Sequence, residues 1–162
     1  MDAYQAHASV AVPHGILITY AVITEGGIQV NRDGRRFGDE TTGYSEHALR
    51  VLAQPEGLAW NVYDERLHRL ALRVPRTTGK RWTPARVASA ATAAELAAVA
   101  RTPAAGARRH PRRVPGGRRG EAPDPFGRRD RRRLEPPFRG VKVTGALFHT
   151  QGGLRVDIAA RV

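Results

Sequence analysis

The amino-acid sequence predicts an α+β fold in which short helices pack on β-hairpin-like units. Residues 28–31 and 58–63 alternate apolar and polar side chains with the period of a strand, whereas residues 44–54 gather apolar side chains on one helical face. An arginine-rich segment, residues 102–137, interrupts these patterns. With 162 residues and 41% hydrophobic content, the chain can bury one modest core.

Strand patterns dominate the N-terminal part. Ser9 to Val12 lead into a break at Pro13-His14-Gly15, and the β-branched stretch from Ile16 to Ile23 predicts a further strand. Arg32-Asp33-Gly34 predicts a turn, because glycine tolerates the positive φ that tight turns require. We expect Arg35 to Phe37 to return as the second strand of a hairpin.

Three helices are predicted downstream. The first runs from Tyr44 to Gln54 and ends at Pro55-Glu56-Gly57. Its apolar face consists of Ala48, Leu49, Val51 and Leu52. Asp64 is expected to cap the second helix, which carries Leu67, Leu70 and Ala71. Thr83-Pro84 and the capping box from Thr92 to Glu95 predict the third helix, within residues 84–100.

The C-terminal part returns to strand patterns. Val141 to Thr144 predicts one strand. Ala146 to His149 and Leu154 to Asp157 flank Thr150-Gln151-Gly152-Gly153 as a second hairpin-like unit. We therefore divide the chain into residues 1–101, the irregular residues 102–137, and residues 138–162.

The positive charge is concentrated in the irregular segment. The chain carries 27 Lys and Arg against 15 Asp and Glu, and residues 101–139 hold 13 of the basic and 4 of the acidic side chains. Its sizeable apolar anchors are Phe126 and Leu134, too few to offset the entropy of ordering it. Arginine can bind phosphate, but aromatic residues for base stacking are sparse, so specific nucleic-acid binding is not favoured.

Several function classes are excluded by composition. The chain has no cysteine, hence no disulfide, thiolate nucleophile or cysteine-bound metal. The six histidines show no metal-ligand spacing, so no metal site is expected. The longest apolar run, Gly15 to Ile23, is far shorter than the roughly 20 residues that span a bilayer. No signal-peptide pattern precedes it, so we expect a cytoplasmic protein.

Two segments resemble a known family. Gly26 to Glu40 reads Gly-Gly-Ile-Gln-Val-Asn-Arg-Asp-Gly-Arg-Arg-Phe-Gly-Asp-Glu, and Val141 to Leu154 contains His-Thr-Gln-Gly-Gly. In this order they resemble the FAD-dependent oxidoreductases related to the fumarate reductase and succinate dehydrogenase flavoproteins. The resemblance covers most of residues 7–72 and 124–162 and corresponds to the substrate-capping region of those enzymes.

This resemblance implies hydride transfer between FAD and a small organic substrate, a carboxylate or a ketone. It implies that His149 is catalytic and holds a substrate oxygen. The implied substrate-binding residues are Arg36, Glu40 and Thr150. The residues implied to bind the cofactor beside the isoalloxazine are Gln151, Gly152 and Gly153.

A second catalytic candidate is Tyr44. In the fumarate-reducing members of the family, an arginine shortly after the Arg-Phe-x-x-Glu motif is the proton donor. Residues 41–45 here are Thr-Thr-Gly-Tyr-Ser, so fumarate reduction is not favoured and the Tyr44 phenol becomes the candidate donor, as in some ketone-reducing or desaturating flavoenzymes. The alternative interpretation is an aromatic side chain that only packs at the start of a helix.

The nucleotide-binding half of such an enzyme is missing from the pattern. The sequence contains no Gly-x-Gly-x-x-Gly motif, which the family's βαβ unit should carry. We therefore expect a truncated product or one part of a split flavoprotein, completed by an FAD-binding chain or by self-association. The alternatives are a small basic protein that binds nucleic acid nonspecifically and a nonfunctional remnant; an out-of-phase reading of GC-rich DNA would also produce the arginine-rich run.

Overall fold

A computed structural model of the chain describes residues 3–73, 87–99, 124–128 and 133–161. The described residues form one antiparallel sheet of six strands with four helices. The strands are β1 (Ala3–Ala11), β2 (Ile16–Leu17), β3 (Ile28–Val30), β4 (Leu58–Asp64), β5 (Ala88–Ala90) and β6 (Phe138–Gln151). The helices are α1 (Ala21–Thr24), α2 (Tyr44–Leu52), α3 (Glu65–Arg73) and α4 (Ala93–Val99). The predicted α+β class is confirmed.

Strand β6 is the centre of the sheet. The strand order is β2-β1-β6-β4-β3, and β5 also pairs with β6. Strand β6 pairs with β1 from Ala3 opposite Gln151 to Ala11 opposite Val143, and with β4 from Leu58 opposite Thr144 onward. The last part of the chain thus lies between strands from the first part, and the two parts share one sheet.

The core lies between this sheet and the helices. Helix α2 packs on β1 and β6, and α1 packs on α3. The fully buried apolar residues include Val22, Ile23, Ala48, Val51, Tyr63, Leu67, Val141 and Val143. No helix in the described ranges is long and apolar enough to cross a membrane.

Several local signals in the sequence are confirmed. Helix α2 stops where expected, because Pro55–Gly57 forms a separate 3₁₀ turn. Asp64 Oδ1 accepts a 3.0 Å hydrogen bond from Leu67 N and so caps α3. In the capping box, Thr92 Oγ1 accepts from Glu95 N at 3.1 Å and Glu95 Oε2 accepts from Thr92 N at 3.3 Å. The predicted helix start at Thr83-Pro84 lies outside the described residues.

Other elements are shorter or different from the prediction. The strand expected from Ile16 to Ile23 continues only to Leu17, since Val22 and Ile23 are buried on helix α1 instead. The third helix begins at Ala93, because Ala88–Ala90 pairs with β6 as a strand. Tertiary pairing here outweighs the helix propensity of alanine. The buried face of α2 is also narrower than predicted. Ala48 and Val51 are buried, but Leu49 is 55% and Leu52 48% exposed.

The first predicted hairpin is wrong in its second strand. The turn at Arg32 to Gly34 is present, and Asn31 Oδ1 accepts hydrogen bonds from the backbone of Asp33 and Arg35. Strand β3, however, pairs with β4, with Ile28 opposite Val62. Residues 35–37 form no strand, because the Arg36 guanidinium turns inward to buried carboxylates.

The second predicted hairpin is also wrong. Strand β6 continues through His149 and Thr150 to Gln151, because β1 supplies a partner along this whole stretch. The chain then leaves the sheet at Gly152, whose φ of 77° favours glycine. Residues 154–157 form no strand, and Leu154 is 76% exposed.

The contact between α2 and β6 requires a glycine at position 145. A β-carbon on Gly145 would lie 2.7 Å from the Ala48 carbonyl oxygen and 2.8 Å from Leu52 Cγ. We expect Gly145→Ala to lower the free energy of unfolding by about 1–3 kcal/mol through overpacking. Gly153→Ala is the matched control, because no atom lies within 4 Å of its added β-carbon. Equal urea midpoints for the two variants would contradict this account.

Candidate active site

Four charged side chains form a buried ion cluster, defined here as Arg36, Glu40, Asp124 and Arg128. Arg36 donates to both carboxylate oxygens of Glu40, at 2.8 Å and 2.6 Å, and to Asp124 Oδ2 at 2.6 Å. Arg128 Nη1 lies 3.3 Å from Glu40 Oε2. Each side chain is 1% exposed. Two positive and two negative charges therefore balance one another where water cannot reach them.

Arg128 also stabilises the end of helix α1. Its Nη1 donates to the Gly27 carbonyl oxygen at 2.7 Å, and its Nη2 donates to the carbonyl oxygens of Ile23 and Thr24. Carbonyl groups at a helix C-terminus lack intrahelical partners and attract cations. This arginine of the predicted irregular segment is thus buried in the fold and is not available to bind phosphate.

Glu40 has further partners that hold its loop in place. Its Oε1 accepts from Gln29 N at 3.1 Å, and its backbone oxygen accepts from Tyr20 Oη at 2.9 Å. Burial, and then the charge of Glu40, raises the pKa of Tyr20, so this hydroxyl stays protonated as a donor. Burial alone would lower the pKa of Arg36, but its bonds to Glu40 and Asp124 outweigh burial and raise it.

Tyr44 begins α2 directly after this loop, where Gly43 has a φ of 113°. Its ring stacks on His7, with centroids 4.9 Å apart, and meets the Tyr20 ring edge-on at 6.0 Å. His7 also contacts the Phe148 ring at 5.7 Å. The Tyr44 ring therefore packs in an aromatic cluster at the start of the helix, and its side chain is half-buried. Its role as a proton donor stays a prediction.

The hydroxyl of Tyr44 is held by Gln5. The Gln5 amide Nε2 donates to Tyr44 Oη. In the antiparallel pairing of β1 and β6, Gln5 lies directly opposite His149. Directly paired residues project from the same face of a sheet. Tyr44 and His149, the two predicted catalytic residues, are therefore both neighbours of Gln5.

The predicted cofactor-binding segment ends β6 at the surface. His149 and Thr150 are exposed, and Thr150 pairs with Tyr4 on β1. Gln151 pairs with Ala3 through its backbone. Gly152 and Gly153 follow in an exposed irregular segment, named the glycine turn here, and a β-carbon on Gly153 would meet no atom within 4 Å. This turn leaves room for a flat group to approach the backbone.

The predicted substrate residues fall into two groups. Thr150 is exposed beside His149, whereas the side chains of Arg36 and Glu40 face the ion cluster and not solvent. Sequence reasoning missed Asp124, Arg128, Gln5 and His7. For Asp124 and Arg128, the only signal was the Asp-Pro-Phe-Gly-Arg pattern, an acid and a phenylalanine among arginines. For Gln5 and His7, the available signal was their spacing of two residues, which puts both side chains on one face of a strand.

The antiparallel sheet, with its exposed glycine turn after β6, is a fold found in flavoprotein structures. The chain superposes on an open-conformation flavocytochrome c3 fumarate reductase with a TM-score of 0.75 and 26% identity, covering 98% of this chain and 29% of that one. A 3-ketosteroid-delta4-(5alpha)-dehydrogenase from Rhodococcus jostii RHA1 has the same fold, with a TM-score of 0.62 at 22% identity over 96% of this chain and 31% of that one.

The chain belongs to the family described as FAD binding domain, whose profile matches residues 1–162. It is 30% identical over 169 residues to a probable fumarate reductase of Shewanella frigidimarina (strain NCIMB 400). That match covers 100% of this chain but 27% of the relative, so the chain spans about a quarter of the relative's length. The predicted family, FAD-dependent oxidoreductases of the fumarate reductase type, is confirmed, and FAD is its cofactor.

The fold also occurs in a chain of similar size. A solution NMR structure of a fumarate reductase flavoprotein subunit from Lactobacillus plantarum matches with a TM-score of 0.56 and 20% identity. The match covers 82% of this chain and 94% of that one. In that protein the same fold is adopted by a chain of comparable length.

Removing Arg128 should strongly destabilise the fold. Arg128→Met leaves Glu40 with one cation fewer and the α1 carbonyls without their donor, so we expect a loss of about 3–5 kcal/mol in the free energy of unfolding. Arg69→Met is the control, because this side chain is 74% exposed and pairs only with Glu65 among the described residues. Its loss should cost less than about 1 kcal/mol. Similar urea unfolding curves for both variants would refute a structural role for the cluster.

Lowering the pH should reduce the stability of the fold, because His7 is buried. Burial lowers the pKa of His7 to about 4, and Ser9 N donates to its Nδ1 at 3.1 Å. In the unfolded chain His7 binds a proton below its usual pKa of about 6.5, whereas in the folded chain it stays neutral until the pH approaches 4. The contribution of His7 to stability is therefore fully present above pH 6.5 and is lost as the pH falls towards 4. Burial also lowers the pKa values of His47 and His68, which adds to this slope.

Urea titrations between pH 7.5 and pH 4.5 measure this slope. His7→Asn retains an acceptor for Ser9 N but has no titrating ring, so its stability should depend less on pH than that of the wild type. His14→Asn, in the exposed turn after β1, should keep the wild-type slope. A His7→Asn variant with an unchanged slope would exclude His7 as the source.

Proposed function

We propose that this chain is the substrate-side, capping part of an FAD-dependent oxidoreductase. The reaction is a hydride transfer between the flavin and a small carboxylate or ketone. The observation that carries the proposal is that β6 brings His149 and the open Gly152-Gly153 turn to the sheet end where α2 places Tyr44. The similar structures are a fumarate reductase and a ketosteroid dehydrogenase, which suggests the two substrate classes.

The residues present fit the isoalloxazine end of FAD. The positive φ of Gly152 and the free space at Gly153 let a flat ring approach the backbone at Gln151 to Gly153. When bound, FAD supplies the acceptor or donor of hydride that no side chain provides. The sequence has no glycine-rich phosphate loop, so residues outside these 162 would bind the nucleotide end.

The side chains of this chain then bind the substrate and supply the proton. His149, exposed at the end of β6, hydrogen-bonds a substrate oxygen, and Thr150 adds a second polar contact. Tyr44 holds the proton that accompanies hydride transfer to the substrate. Arg36 and Glu40 contribute by fixing the loop that leads to Tyr44, because their charged groups are fully occupied by the ion cluster.

Exposed apolar side chains around this end of the sheet support a complementing partner. Leu147 is 64% exposed, Leu154 76%, and Ile158 fully exposed. Large apolar side chains exposed on β6 and in the segment after it are candidates for an interaction surface. We propose that they pack against the FAD-binding part of the enzyme, supplied by residues outside this sequence or by a second chain.

Flavin binding tests the proposal. We expect riboflavin, which carries the isoalloxazine without the nucleotide, to bind saturably, as measured by quenching of its fluorescence. Gly153→Val should weaken this binding by roughly tenfold, because its side chain fills the approach to the turn. His149→Ala should keep flavin binding but lose the spectral response to added dicarboxylate or cyclic ketone, whereas His14→Ala should keep both. Equal flavin binding by Gly153→Val and wild type would overturn the assignment of this turn.

A further inference from the structure

We propose that Gln5 is a positioning residue for this reaction, joining the proton donor Tyr44 to the substrate-binding His149. The inference rests on the proposed function and adds a residue that the sequence patterns did not single out. Two contacts made by one residue carry it. The Gln5 side chain donates to Tyr44 Oη, and its backbone position in β1 is paired with His149 of β6.

The direction of the hydrogen bond between Gln5 and Tyr44 determines its chemical effect. Because the Gln5 amide is the donor, Tyr44 Oη is the acceptor, and the phenol's own proton remains free to point towards another group. When that proton leaves for a substrate carbon, the negative charge stays on Oη. A donor already directed at this oxygen stabilises that charge without any rearrangement.

The ring of Tyr44 is held from the same strand. His7, two residues after Gln5 and thus on the same face of β1, stacks on the Tyr44 ring at an interplanar angle of 26°. His7 is neutral at pH 7, because burial lowers its pKa to about 4. The stacking partner therefore adds no charge beside the phenol, and the hydroxyl is oriented by Gln5.

The pairing of Gln5 with His149 determines which part of a bound substrate lies near the hydroxyl proton of Tyr44. Residues directly opposite in an antiparallel pair have β-carbons about 5 Å apart. The register shift between Gln5 and Ala6 separates the pairs from Ala3 to Gln5, near the glycine turn, from the rest of the pairing between β1 and β6. A substrate oxygen bound by His149 would thus place its neighbouring carbons within reach of the hydroxyl that Gln5 orients.

A glutamine suits this position better than a glutamate. The amide does not titrate and offers its Nε2 donor to Tyr44 at any pH. A carboxylate of the same size would accept a hydrogen bond from the phenol and so direct its proton away from the substrate. Gln5→Glu should therefore impair the proton donor more than Gln5→Met, which removes the hydrogen bond but leaves the phenol proton free.

The contact itself is tested by NMR on the whole chain with tyrosine labelled at Cζ. The chain has four tyrosines, and Tyr44→Phe assigns the signal of interest. Gln5→Met should shift the Tyr44 signal and the ring signals of His149. Gln54→Met is the matched control, because Gln54 bonds Asn31 and Arg50 instead, and both sets of signals should stay in place. A Tyr44 signal unmoved by Gln5→Met would overturn the proposal.

Turnover by the flavin-loaded chain separates positioning from binding. Gln5→Met should lower kcat by roughly tenfold while KM for the ketone or carboxylate changes less than about twofold, and Gln5→Glu should lower kcat further. A change in KM alone would contradict a role in proton delivery. If the wild type binds flavin but never turns over, the proposed function fails, while the NMR signals still decide whether Gln5 holds the Tyr44 hydroxyl.

Discussion

The buried ion cluster is the constraint on which the rest of this structure depends. Arg36 and Asp124 are separated by 88 positions in the sequence, yet their side chains meet at 2.6 Å with no access to water. A buried charge without its partner is so costly that all four groups must arrive together. Their meeting fixes the loop before α2, and that loop fixes Tyr44 at the first position of the helix.

A second buried polar group links the sheet to this cluster. The Gln29 amide donates to Asn61 Oδ1 at 2.7 Å and to the Ala8 carbonyl oxygen at 2.8 Å, while its backbone N–H donates to Glu40. Apolar residues in these places would pack in several registers, whereas a buried amide favours the register in which its N–H groups are paired. We interpret these contacts as the reason that β1, β3 and β4 adopt a single alignment.

The sequence predicted what depends on neighbouring residues and missed what depends on distant ones. Asp64 as a cap, the Thr92 to Glu95 box and the stop at Pro55 were predictable, because each effect acts within one turn of helix. The return strand at Arg35 to Phe37 was wrong, since partners far along the chain decide where Arg36 points. The family resemblance suggested Tyr44 and His149 as candidates but gave no signal for Gln5, whose place beside them depends on strand pairing and on its hydrogen bond to Tyr44.

The buried ion cluster and the proposed reactive groups occupy different places in this fold. The ion cluster is dry and electrically balanced, whereas His149 and the glycine turn are exposed and make no contribution to the core. Gln5 and Tyr44 are both half-buried and share a hydrogen bond, and Gln5 is also paired with His149 in the sheet. A reacting group must be held firmly yet remain open to its substrate. The pairing of Gln5 with His149 near the end of two strands, with two residues left before Gly152, satisfies both requirements. The backbone pairing supplies the rigidity, and the glycine turn leaves the opening.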